Sequence, residues 1–102
     1  VFFGVAGELL DAMRKIGRTP KVIILRMRLV PMLDASGVTM IEEFIEQASV
    51  SGTKIILSGV QPQPKEMLMR IGLSGDQAGV FFEADYAAAL RHAKQLTMFT
   101  VH

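Results

Sequence analysis

The sequence predicts an α/β domain built on parallel strands. Stretches with β-type alternation take turns with stretches at helical spacing, the links between them are short, and glycine, proline or a capping residue marks almost every link. Strand, helix, strand, helix in that order means parallel strands joined by right-handed crossovers.

Val1, Phe2 and Phe3 read as the tail of a strand that runs straight into a first helix. The expectation is that the natural polypeptide continues upstream. Ala6, Leu9, Leu10 and Met13 fall at i, i+3, i+4 and i+7, which gives that helix one apolar stripe, and Gly17 marks its end. From Val22 to Leu29 one alternating set is Ile23, Leu25, Met27 and Leu29, while the other is Val22, Ile24, Arg26 and Arg28. One face is wholly apolar and the other turns polar, so the sheet is expected to be covered mainly on one side. A second helix follows with Ile41, Phe44, Ile45 and Ala48 inward, Glu42, Glu43 and Glu46 on its solvated face, and Gly52 as its stop. Lys54 to Ser58 is the next strand, with Ile55 and Leu57 inward. Gly59 opens a loop, and Pro64 suits the first turn of a third helix that carries Met67, Leu68 and Ile71 and closes at Gly72. Val80, Phe81 and Phe82 make a short strand, and Asp85 caps a last helix whose Tyr86, Ala89, Leu90 and Ala93 share a face.

At 102 residues the chain is long enough for one domain with a modest core, and no repeat, low-complexity tract or linker calls for a second. Half of it is hydrophobic and 21% is charged, which excludes disorder. A net charge of +1 argues against nucleic-acid binding, which asks for a clear basic excess. The chain has no cysteine, which removes thiol catalysis, thiolate metal sites and disulfides and fits a reducing compartment. No apolar run approaches the ~20 residues needed to cross a bilayer, and nothing reads as a signal peptide, so a soluble piece is expected.

The most suggestive chemistry lies between the strand at KVIILRMRLV and the helix at VTMIEEFIEQA, where Pro31, Met32, Leu33, Asp34, Ala35, Ser36 and Gly37 stand. The first amides of a helix point out of the fold there and can hold an anion, a phosphate or a partner. The plainer role is a cap, with Asp34 or Ser36 accepting from those amides. Met32 and Leu33 are apolar residues in a loop, and they are the leading docking surface. Arg14, Lys15, Arg18 and Lys21 gather around the end of the first helix, with Arg26 and Arg28 on the adjoining strand. A helix dipole accounts for part of that grouping. As an electropositive patch it would attract an acidic protein or anionic headgroups.

Catalytic parts do not converge. His92 and His102 have no metal-ligand spacing, so no metal or other cofactor is expected. Ser36 lacks the flanking glycines of a nucleophile elbow, and there is no P-loop lysine or dinucleotide fingerprint. The chain reads as a non-enzyme.

The runs VFFGVAGELLDAM, VIILRMRLVPMLDASG and ILSGVQPQPKEMLMRIGL, followed by FFEADYAAAL, resemble a STAS domain over nearly the whole chain. They are most similar to the C-terminal cytoplasmic STAS domain of a bacterial SulP-type anion transporter. The resemblance implies a mixed, mainly parallel sheet of four or five strands with helices mostly on one side, the first strand lying outside this stretch. It implies a regulatory domain at the cytoplasmic face of the inner membrane, attached to a membrane domain that carries sulfate, bicarbonate or dicarboxylate. It would dock to that membrane domain and to soluble partners. The family's other branch, the free-standing anti-sigma factor antagonists, is phosphorylated at the hydroxyl residue directly after the aspartate. Ala35 holds that position here, and Ser36, one place later, is the remaining candidate for phosphorylation. Weak binding of a nucleotide or anion at Ser36 and Gly37 is the third reading.

Overall fold

The computed structural model describes residues 12, 15–73 and 79–98. Three strands, β1 (Val22–Arg26), β2 (Lys54–Ser58) and β3 (Val80–Glu83), form a parallel sheet in the order β1-β2-β3. Three helices alternate with them: α1 (Ala35–Val50), α2 (Pro62–Arg70) and α3 (Tyr86–Met98). The predicted strand at Val1–Phe3 and the stripe Ala6, Leu9, Leu10 and Met13 lie outside the described residues. Ala12 and Lys15 are helical, and Gly17 takes φ +76° where that helix was expected to end.

The pairing register decides which side chains share a face. Ile23 pairs with Ile55, and Leu25 and Phe82 both pair with Leu57, so these residues and Val80 point one way. On that side Leu25, Ile55, Leu57 and Val80 merge with Ile41, Phe44 and Ala48 of α1 and Leu68 of α2 into one core. The opposite face carries Ile24, Arg26, Ile56, Ser58, Phe81 and Glu83. The α3 helix covers it, with Ala89 fully buried, the His92 ring edge-on to Phe81 at 4.6 Å, and the Arg26 guanidinium 4.1 Å above the Tyr86 ring. Thus α1 and α2 lie on one side of the sheet and α3 on the other.

Covering both faces explains the composition of β2. Ile55, Ile56, Leu57 and Ser58 are buried in succession, which only a central strand with helices above and below requires. Nearer the edge, His92 Nδ1 meets Glu83 Oε2 at 2.7 Å and joins α3 to the end of β3.

Two details depart from the sequence expectation. The first strand ends at Arg26 rather than Leu29. The Met27 amide still donates to the Ser58 carbonyl, but Val30 then donates back to the Met27 carbonyl, and this turn cancels the alternation. Met27 stays in the core, whereas Leu29 is 76% exposed. Ile71, expected on the inner stripe of α2, is its C-cap residue and is 38% exposed, because the helix stops at Arg70 before completing that turn.

Truncating Ile56 to alanine removes a fully buried side chain and is expected to cost about 2–5 kcal/mol in urea unfolding. Leu29→Ala, at a position the fold leaves in solvent, should stay within about 0.5 kcal/mol. Equal losses would contradict the strand boundary.

Candidate functional site

Parallel pairing sends the chain out of every strand at the same edge, so the loop from Met27 to Asp34, the loop at Gly59 to Gln61 and the turn at Ala84 and Asp85 lie side by side. The starts of all three described helices are at that edge too. In open α/β sheets such an edge is where ligands and partners meet the fold.

Asp34 is the N-cap of α1. Its backbone is extended, its Oδ1 accepts from the Gly37 amide at 2.8 Å, and its carbonyl accepts from Val38. The plainer of the two roles proposed for this residue is therefore filled, a contribution of about 1 kcal/mol to the helix. The cap also bears on anion binding. The Gly37 amide is taken, and a carboxylate stands beside it, so an incoming phosphate must displace or repel Asp34. Ala35 and Ser36 are exposed in the first turn, with the Ser36 hydroxyl one residue beyond the position that follows the aspartate.

Gly37 is needed for space rather than for an unusual dihedral. A Cβ there would stand 2.9 Å from Leu33 Cδ2 and 3.5 Å from Asp34 Oδ1. A bulky residue at Gly37 therefore disturbs the cap and the loop whether or not a ligand binds, so loss of binding on such a change would not identify a ligand site.

Met32 and Leu33, expected to act together, point in different directions. Met32 is 68% exposed, whereas Leu33 is 5% exposed and belongs to the core. Leu33 is therefore corrected from docking surface to anchor. The Gln63 side chain explains how the loop is held: its Oε1 accepts from the Leu33 amide at 2.8 Å and its Nε2 donates to the Leu33 carbonyl at 3.1 Å. Gln61 makes no cap bond to its own helix. Its Nε2 reaches across to the Arg28 carbonyl at 2.7 Å. Gly59, at φ +64°, lets the backbones approach, since a Cβ there would stand 3.1 Å from Arg28 Cβ. Two glutamines thus staple the β1–α1 loop to the start of α2 and leave Leu29 and Met32 standing out from a fixed backbone.

Neither glutamine was singled out by sequence reasoning. The signal was present in the alternation Gln61-Pro62-Gln63-Pro64 shortly after a strand that neighbours β1, where glutamine is not a preferred cap.

Lys21 and Arg26, expected in one basic patch, stand at opposite edges of the sheet. Lys21 is at the opposite edge of the sheet, where its carbonyl accepts from the Lys54 amide and the neighbouring Pro20 carbonyl accepts from Thr53 Oγ1. Lys15 and Arg18 precede it, and Arg14 lies outside the described residues. Strand β1 separates Lys21 from Arg26 by about 16 Å at the usual rise of ~3.3 Å per residue. Arg26 and Arg28 therefore belong with the loop edge, and Arg26 is already engaged with Tyr86. Residues close in sequence are far apart along an extended strand, which is why these two do not share an edge.

Among the described residues no group of three or more His, Cys, Asp or Glu side chains could hold a metal ion, and no helix is long and apolar enough to cross a membrane. Four polar side chains of the loop edge hold backbone: Asp34 on Gly37, Gln63 on Leu33, Gln61 on Arg28 and Asp85 on Ala88.

Removing the Gln63 side chain leaves the Leu33 amide without its acceptor in a part-buried position. Gln63→Ala is expected to cost about 1–3 kcal/mol and to speed hydrogen exchange at Leu33 by at least about tenfold, with the central strand unaffected. Unchanged exchange at Leu33 would show that the staple does not hold the loop.

The comparisons with known proteins agree with this architecture. The family model for the STAS domain matches residues 1–87. A solved structure, that of a sulfate transporter family protein from Wolinella succinogenes, superposes with a TM-score of 0.72 at 40% sequence identity, covering 94% of this chain and 79% of that one. No curated protein matches. The chain belongs to the STAS domain family, and this solved relative is a sulfate transporter family protein.

Proposed function

We propose that this domain is a non-catalytic, cytoplasmic regulatory module of a SulP-type secondary anion transporter, placed at the inner face of a bacterial inner membrane. The observation that carries the proposal is the pairing of exposed apolar side chains with a fixed backbone. Leu29 and Met32 stand in solvent on a loop pinned by the Asp34 cap, the buried Leu33 and the two glutamine staples. Apolar contacts on a preorganised loop lose little entropy on binding, which is what a docking surface needs. The likeness to a sulfate transporter family protein supports the membrane domain of the same transporter as the main partner.

Arg28 extends this surface with positive charge, and Arg26 lies beside it. An acidic cytosolic protein is the soluble partner that such a rim would steer. Regulation follows if the docked loop is held better in one transporter state than in another, since only a difference in affinity between states shifts their balance.

The test uses the full-length transporter. Replacing Leu29 and Met32 together by serine should change anion uptake by about fivefold or more, the scale of a typical coupling energy, while the isolated domain unfolds at nearly its original denaturant midpoint. Unaltered uptake with the protein at its normal level in the membrane would overturn the docking role of the loop.

A further inference from the structure

A second surface, away from the loop edge, has the chemistry of a peptide groove. Glu42, Ile45, Glu46, Ser49 and Val50 follow one another at spacings of three, one, three and one along α1, so they form a single stripe. With Ile71 and Leu73 across from them they line an open hollow of about 330 Å³. A second hollow of about 400 Å³ continues round the helix over Glu43, Gln47 and again Glu46 and Val50. The apolar wall belongs to the first hollow, the second is polar apart from Val50, and the rim of both is acidic.

Ile45 and Leu73 are half-buried and pack in part against the core, but folding does not account for Val50, for the exposed part of Ile71 or for the acidic rim. Val50 is 77% exposed, although a β-branched residue at the end of a helix is a poor choice where it buries nothing. Glu42 and Glu46, one turn apart, repel each other, and α1 has no lysine or arginine anywhere along its length to offset them. Among the described residues no cation pairs with Glu42, Glu43 or Glu46. Val50 and Ile71, exposed beside unpaired like charges, cost the domain stability that a bound partner would return.

We infer that this groove docks a cationic amphipathic helix of another protein. An apolar ridge of the incoming helix lies over Ile45, Val50, Ile71 and Leu73, and lysines or arginines on its flanks reach Glu42, Glu43 and Glu46. Burying the ridge supplies the affinity, and the carboxylates set partner choice and orientation. The same carboxylates repel the alternatives of opposite chemistry, anionic lipid surfaces and nucleic acid. The groove and the loop at Met32 are separate sites, and this inference holds whether or not the loop docks to a membrane domain.

The test is an NMR titration of the isotope-labelled domain with a short synthetic peptide of leucine and lysine, the leucines at helical spacing. A peptide with glutamate in place of lysine is the control. The expected result is saturable shifts centred on Ile45, Val50, Ile71 and Leu73, at least tenfold weaker binding to the Glu42→Lys, Glu46→Lys double variant, and no binding of the glutamate peptide. A Val50→Ser variant should weaken binding too while leaving the rim charges in place. All substituted side chains are exposed, and retained dispersion of the variants' spectra checks that they fold. The inference is overturned if the shifts map to the loop around Met32, if reversing both charges leaves the affinity unchanged, or if the same resonances move with domain concentration alone. That last outcome would assign the groove to a second copy of the chain.

Discussion

The rest of the structure depends on the burial of β2 on both faces. A strand paired on each side, whose residues from Ile55 to Ser58 are all withdrawn from water, is stable only with helices above and below it. That requirement places α1 and α2 over Ile55 and Leu57, and α3 over Ile56. Parallel pairing then adds a geometric consequence, because every strand delivers its chain to the same edge. The loops that carry Met32, Gln61 and Asp85 are neighbours for this reason alone.

At that edge polar chemistry is spent on rigidity. A carboxylate at the start of a helix and two glutamines beside a loop are groups that in another α/β protein would face a ligand. Here Asp34 closes its own helix, and Gln61 and Gln63 bind the backbone of the neighbouring loop. Outward from the same loop stand Leu29, Met32 and Arg28, beside the exposed cap at Asp34 and the Ser36 hydroxyl. A surface of that kind recognises another surface. The acidic groove along α1 has the opposite charge and a different position, so the two regions suit partners of different chemistry.

The order of elements, the parallel sheet, the caps at Asp34 and Asp85 and the resemblance to the STAS family were legible in the sequence, because periodicity and capping are local properties. Placement across the fold was less so. Leu33 and Met32 are adjacent apolar residues, and only the packing of Gly37 against Leu33 shows which of them is buried. Leu29 continues the alternation of its strand perfectly, yet the turn at Val30 removes it from the sheet. Lys21 and Arg26 read as parts of one patch until the length of β1 separates them. Gln61 and Gln63 act through contacts some thirty residues away, which no local pattern records.

The central claim is that this domain works as part of a membrane transporter. It is tested most directly by fractionating native cells and immunoblotting with an antibody raised to the domain, recording size and compartment together. The account predicts a band several times heavier than this domain, in the membrane fraction. A soluble band of about the domain's own size would contradict it and turn attention to Ser36 as the switch of a free-standing protein.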